Sequence, residues 1–309
     1  MSENIANTIN KKTTKKYAIL LSIIIILSVI LVLTILLKNR GYSLPTLKAI
    51  NSNISEIKIN RGTNETLSIK LNEGKWILNE EYIADSDIIE SMTNALNLIK
   101  PVEIISRGED DKEKYKLLDE ELLTVIAIDN SLKELRNIKF GMKATLGDNV
   151  YAQIDKDKNI YLLGNLSSNP KDIFDKSEDD IINKTISSIR NDKINKITVS
   201  YNNKDYTLEK SESTNWLKVW NNSTVKVDDL YSPIYTIANF KADGLIRENL
   251  DKNLALYKIE IFADNDFVLY EILNKNNNYE VSLSNDNNRY YINDATFSNL
   301  KEAIDNIIK

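Results

Sequence analysis

One order of events occurs twice along this chain, and it constrains the fold more than any single motif does. "GKWILNEEYIADSDIIESMTNALNLI" begins at Gly74, and "TNWLKVWNNSTVKVDDLYSPIYTIANF" begins at Thr214. Each runs from a Trp through a short polar stretch and an acidic pair into an apolar stripe at helical spacing. The flanks repeat too. "ISEIKIN" from Ile54 and "INKITVS" from Ile194 approach the apolar–polar alternation of half-buried strands, with "TLSIKLN" and "DYTLEK" next. Trp76 and Trp216 end these β segments in both copies, which predicts a shared core position. A whole order of elements that recurs marks a duplicated structural unit.

In the first copy, Asp85 or Asp87 is placed to cap a helix, with Glu90 three residues after Asp87 in a capping-box spacing. Ile88, Ile89, Met92, Ala95, Leu96 and Ile99 form its apolar face, and Pro101 marks its stop. A polar stretch, "SRGEDDKEKYKLLDEE", leads to strands at "LLTVIAID", "LRNIKFGM", "NVYAQID" and "NIYLLG". A closing helix is expected over Asp179–Arg190, carrying Ile182, Ile186 and Ile189. In the second copy Asp228 and Asp229 stand for the acidic pair, and Leu230, Ile234, Ile237 and Ala238 for the stripe. The later strands are "LYKIEIFA", "FVLYEILN", "YEVSLS" and "RYYIN"; the closing helix carries Phe297, Leu300, Ile304, Ile307 and Ile308. Pro233 falls inside the second stripe, so that helix either starts later with Ser232 as its cap or has a distorted first turn. The expected fold class is α+β: two tandem units, residues 54–190 and 191–309, each an antiparallel sheet with helices packed on one face.

Ahead of the body, Tyr17 to Leu37 reads "YAILLSIIIILSVILVLTILL", without a charge, Gly or Pro. Some twenty apolar residues suffice for a helix to cross a hydrocarbon core of roughly 30 Å. The run is longer than the apolar core of a cleaved signal peptide, and no small-residue cleavage site follows. Lys11, Lys12, Lys15 and Lys16 precede it and only Lys38 and Arg40 follow closely, which places the tail 1–16 in the cytoplasm and the body outside. A linker, 38–53, joins span to body. Of the 40 basic and 45 acidic residues, six basic and one acidic fall within residues 1–40, so the rest carries 34 against 44. A body of that sign is a poor partner for nucleic acid, which is bound by neutralising phosphates.

Two absences close off chemistry. The chain has no Cys, hence no disulfide framework, thiolate nucleophile or lipid-modified Cys. It has no His, hence no imidazole base and none of the usual zinc or non-haem iron sets. Any catalysis would rest on Asp, Glu, Lys, Tyr, Ser or Arg.

The segments "KWILNEEYIADSDII", "EKYKLLDEELLTVIAID", "NIKFGM" and "NIYLLG" resemble the body of the domain of unknown function 4340 family. Trp76, Tyr82, Ala84 and Asp85 fit that family's Trp and y-x-A-D step. Tyr115, Leu117 and Leu118 fit its Tyr-Gly-Leu stretch, with Lys116 where Gly is usual and no Pro following. The resemblance is good over 54–190 and faint over 194–309. It implies a membrane-anchored protein associated with an ABC-type transport system linked to gliding-motility auxiliary proteins, and it brings no activity or site residues.

"DKDKNIYLLGNL" opens like a calcium loop, yet Ile160 and Leu166 stand where an EF-hand needs Gly and Glu, so Asp155–Asn159 reads as a hairpin turn. "ADNDF" at 263–267 reads as a turn on the same ground. The acidic clusters Glu109-Asp110-Asp111 and Glu178-Asp179-Asp180 are the candidates for a paired-carboxylate glycan hydrolase, against a reading as solvated loop and helix start. Arg107 and Arg247 occupy comparable places after the first helix of each unit and are candidates for contact with an anionic ligand or partner; Trp220, without a counterpart, is the candidate exposed aromatic. No cofactor or metal is expected. The expectation is a single-pass, extracytoplasmic, non-enzymatic accessory or binding component of a transport or envelope assembly, its contact surface in the cleft where the units meet. A glycan hydrolase and a structural spacer are the alternatives.

Overall fold

The computed structural model describes residues 17, 19–35, 44, 46–62, 65–108, 110–118, 122–164, 166–211, 215–247, 255–264, 266–275, 278–286 and 288–309. The expected tail, 1–16, residues 38–43 and 45 of the linker, and Glu109 lie outside them. Residues 19–35 form a helix, α1, about 25 Å long at 1.5 Å per residue, with every described side chain exposed. Among the described residues no helix is long and apolar enough to cross a membrane. Residues 18, 36 and 37 of the expected span lie outside the description.

The body is mixed α+β. Its first unit comprises β1 (Ile54–Arg61), β2 (Glu65–Asn72), β3 (Lys75–Leu78), β4 (Tyr82–Ile83), α2 (Ser86–Leu98), β5 (Lys100–Ser106), β6 (Leu123–Asp129), β7 (Glu134–Lys143), β8 (Val150–Ile154) and β9 (Ile160–Gly164). These strands make one antiparallel sheet in the order β4-β3-β2-β1-β6-β7-β8-β9-β5. Two short helices follow, α3 (Pro170–Phe174) and α4 (Glu178–Ile181), then β10 (Thr185–Ser188). The second unit comprises β11 (Ile194–Tyr201), β12 (Lys204–Lys210), β13 (Trp216–Lys218), β14 (Ser223–Val225), α5 (Val227–Ala238), β15 (Asn239–Lys241), β16 (Gly244–Ile246), β17 (Ala255–Ala263), β18 (Phe267–Lys275), β19 (Asn278–Leu283), β20 (Arg289–Ile292) and α6 (Asp294–Ile308). Its sheet runs β14-β13-β12-β11-β17-β18-β19-β20-β16, which repeats the first position by position. Even a register shift recurs, between Ile54 and Glu56 in β1 and between Ile194 and Lys196 in β11.

Local chemistry explains the hairpins. Asn72 pairs with Lys75 across Glu73 and Gly74, and Tyr201 pairs with Lys204 across Asn202 and Asn203. All four turn residues have positive φ, as the tight two-residue turns matched to strand twist require. Inward positions of the alternating strands form each core: Ile57, Ile59, Val125, Ile138 and Phe140 in the first unit, Ile197, Val199, Ile259, Tyr270 and Ile272 in the second. The helices lay their apolar stripes on these faces through Ile89, Met92 and Leu96 of α2 and Leu300, Ile304 and Ile307 of α6.

A second repeat escaped the sequence reading. The turn Asp155–Asn159 joins β8 to β9, as expected, and its Asp157 accepts from the Asn159 N–H and from the Tyr161 hydroxyl at 2.5 Å. In the β19–β20 turn, Asp286 accepts from the Asn288 N–H and from the Tyr290 hydroxyl at 2.6 Å. The spacing D-x-N-x-Y therefore closes both sheets at one position, with a core tyrosine satisfied by a turn carboxylate. Burial and the Asp286 carboxylate hold the Tyr290 phenol protonated well above its ordinary range.

Several expectations are corrected. The closing helix over Asp179–Arg190 is absent: α4 is a single turn, and the β-branched run after it is extended. Ile182, Ile186 and Ile189 are buried as expected, but not as a helical stripe. The helix α2 ends at Leu98, short of Pro101 as expected; Pro101 itself is the second residue of β5, at the sheet edge where a missing N–H is tolerated. Asp85, not Asp87, caps α2 by accepting from the Asp87 N–H. The helix α5 begins at Val227 and keeps Pro233 inside, while Asp228 and Asp229 lie in its first turn without capping it. Trp216 is buried, as expected, whereas Trp76 is half-buried against the first core.

Replacing Tyr290 by Phe should lower stability by about 1.5–3 kcal/mol, the usual worth of a hydrogen bond to a charged group. A urea midpoint that falls without a change in slope would show it, and an unchanged midpoint would refute the reading of this turn.

Candidate functional site

The two units are joined by backbone as well as side chains. After α4, the chain at residues 181–183 lies against β4: Ala84 and Ile182 form an antiparallel bridge, the Asp85 N–H donates to Ile181 O at 2.8 Å, and the Asn183 N–H donates to Ile83 O at 2.8 Å. The same segment then pairs as β10 with β15 of the second unit. Just beyond the pairing, the Ala242 N–H donates to Lys184 O and the Ile189 N–H to Ala238 O. One stretch of chain thus lies against the edge of the first sheet and then forms a separate two-stranded sheet with β15 of the second unit.

The second acidic cluster sits at this junction. Glu178 accepts from the Asn79 side chain at 2.7 Å and forms an ion pair with Arg247 at 2.6 Å. The Arg247 guanidinium also lies 5.8 Å from the centre of the Tyr82 ring, within cation–π range. Asp179 pairs with Lys184 at 3.3 Å, and Asp180 completes a capping box with Ser177. Leu245 packs against both cores. Glu178, and Asp179 by accepting from the Leu245 N–H at 3.4 Å, thus reach the second unit, while Asp180 caps its own helix.

Beside these contacts lies an open cleft of about 510 Å³, lined by the start of α2, by β10 and β15, and by Tyr235 of α5. Asp85 and Lys241, 3.0 Å apart, bridge it. Burial pushes the Asp85 carboxyl up, but the Lys241 ammonium and the Asp87 N–H together outweigh it and hold the group below the ordinary carboxylate range.

Of the candidate residues, Arg247 reaches the junction and spends its charge on Glu178. Arg107 is exposed beyond β5, at the edge of the first sheet opposite β4, so the structure does not bring the two arginines together. Trp220 is not an exposed platform: it is half-buried on the second core, edge-on to Tyr206 at 5.5 Å and with the Lys218 ammonium 5.6 Å from its ring centre. In the first cluster, Asp111 accepts from Ser106 at 2.6 Å. Sequence reasoning missed Lys241, Thr185, Ser188 and Tyr235, because the contacts that gather them span the two units. Among the described residues no group of three or more acids is placed to hold a metal ion.

A second cavity, about 570 Å³, lies under residues 46–52, which run over the first sheet beside Arg136, Asp155 and Tyr161. Leu47 and Ile50 pack on the core, and the buried Arg136 donates to Lys48 O at 2.6 Å. By strand register Arg136 faces Ala127, where the second unit pairs Val268 with Ile261. The approach to the body is pinned at a place where the copies differ.

A family model described as "Domain of unknown function (DUF4340)" matches residues 76–258. The chain belongs to this family. No curated protein and no solved structure matches the chain. The match begins in β3 and ends in β17, within the span of the sequence resemblance, and the DUF4340 region contains the whole inter-unit junction. The family's Gly before Leu117 also gains a physical reason. Lys116 has φ 54, in the left-handed region that suits glycine.

Two outcomes follow. Replacing Lys116 by Gly should raise stability by about 1 kcal/mol by relieving a left-handed backbone, measured as a higher unfolding midpoint. Lys241→Gln should lower the midpoint near neutrality. Because the Asp85 carboxyl is depressed when folded, its contribution is complete above the ordinary value near ~3.9 and is lost as pH falls through the depressed one. The gap between wild type and Lys241→Gln in urea midpoints should therefore stay constant above about pH 5 and narrow as pH falls below the ordinary carboxylate value.

Proposed function

We propose that this chain is a membrane-anchored, extracytoplasmic accessory or binding component, without catalysis of its own, that presents the inter-unit cleft to its partners. The observation that carries the reading is α1. Its described residues bear no charge, and its large apolar side chains are all exposed, so no part of the described body covers them. An apolar patch of that extent needs another apolar phase. The Thr34 hydroxyl, within the helix, donates back to Ile30 O at 2.7 Å, which suits a helix in lipid.

The pinned segment 46–52 supports a body held at a set place close to the anchor. The absence of His and Cys, the engagement of Glu178 and Asp179 with Arg247 and Lys184, and the capping role of Asp180 favour binding over hydrolysis. The excess of lysines before the apolar run favours a cytoplasmic N-terminus and an external body. An ABC-type transport system in the same membrane is the partner class that the family resemblance brings.

The full chain should sediment with membranes and resist alkaline carbonate. Protease should cleave the body in right-side-out vesicles and spare it in inverted ones. The double substitution Ile26→Arg and Ile30→Arg, at roughly 2.5–3.5 kcal/mol per Arg, should release the chain with its circular dichroism unchanged. A wild-type chain found in the soluble fraction, or cleaved equally in both vesicle types, would sink the proposal.

A further inference from the structure

The side chains lining the inter-unit cleft divide into engaged and free groups. Asn183 accepts from the Thr185 N–H, Ser187 donates to Ala238 O, Asn239 donates to Ile189 O, and Asp85 holds Lys241. The Ser86, Thr185 and Ser188 hydroxyls and the Asp87 carboxylate make no side-chain hydrogen bond among the described residues. Beside them on α5 stand Tyr235, 53% exposed, and Tyr231, 57% exposed, one helical turn apart. Their rings are 6.5 Å apart and within 10° of parallel.

We infer that this cleft binds a neutral oligosaccharide chain, with Tyr235 and Tyr231 as its stacking platform and the free hydroxyls and Asp87 as its hydrogen-bonding partners. The inference deepens the binding-component reading and rests on it. An apolar ligand would strip water from hydroxyls and leave them unpaired, which is costly. An anionic ligand meets Asp87 and Asp85, and a cationic one meets Lys241. A pyranose instead offers a rim of hydroxyls, each able to donate and accept, and a face of C–H groups suited to the negative face of an aromatic ring. The cleft, about 510 Å³, falls in the size range of small-molecule sites, roughly 300–1,000 Å³. Tyr231 lies outside the cleft lining, so the platform extends past it and accommodates more than one ring.

The test is calorimetric titration of the full chain, in a detergent without a sugar headgroup, with cellohexaose and with N-acetylchitohexaose. Saturable binding of at least one is expected. Tyr235→Ala should weaken it about tenfold or more, the effect of losing one stacked ring and its contact area, and Tyr231→Ala should weaken it less. Both rings are exposed, so circular dichroism and the unfolding midpoint should not move. No saturable heat with either sugar up to roughly 10 mM, or binding that Tyr235→Ala leaves within twofold, would overturn the inference. So would an extended hexapeptide that binds where neither sugar does. Membrane sedimentation is scored separately: a sedimenting chain that ignores both sugars overturns this inference alone, and a soluble chain that binds them overturns the anchor alone.

Discussion

Residues 181–189 give their backbone hydrogen bonds first to β4 of one unit and then to β15 of the other. A sheet edge left unpaired and buried is costly, because each N–H and C=O there forfeits a partner. A single extended segment supplies partners on both sides. The cleft, the Glu178–Arg247 pair and the Asp85–Lys241 pair all lie around it, so their geometry depends on that shared pairing. A helix over the same residues would have kept its hydrogen bonds internal and left the units joined by side chains alone.

Duplication accounts for most of the molecule and divergence for its particular features. Strand order, the shift at Ile54 and Ile194, and the D-x-N-x-Y turns are common to both copies. The first copy ends in two short helices and an extended connector; the second ends in a helix spanning Asp294–Ile308. The first places a buried Arg136 opposite a small Ala127, where the second places Val268 opposite Ile261. That exchange makes room for a guanidinium that holds the segment approaching from α1. Tyr231 and Tyr235, likewise, belong to α5 and not to α2.

Strands were legible because their apolar residues alternate, and the first-copy helix because its cap and stripe are local. Pro101 shows the limit: beside a helix end it looks like a stop, and its role as an edge-strand residue depends on β9 lying next to it. The connector shows the same limit, since its isoleucines fit a helical spacing while their β-branching and the waiting strand edges favour extension. Trp220 looked free because Tyr206, which covers it, lies fourteen residues away on β12.

The sequence by itself determined the duplicated α+β plan, the hairpin turns, the membership in the family and the apolar run ahead of the body, since each depends on periodicity or on residues adjacent in the chain. Tertiary structure decided the junction and the cleft. Asp85 and Lys241 are 156 residues apart and Glu178 and Arg247 are 69 apart, so no local pattern marks them as partners. Those contacts exist because one segment lies against β4 at the edge of the first sheet and then pairs with β15 in a small two-stranded sheet, and the side chains around it follow from that geometry.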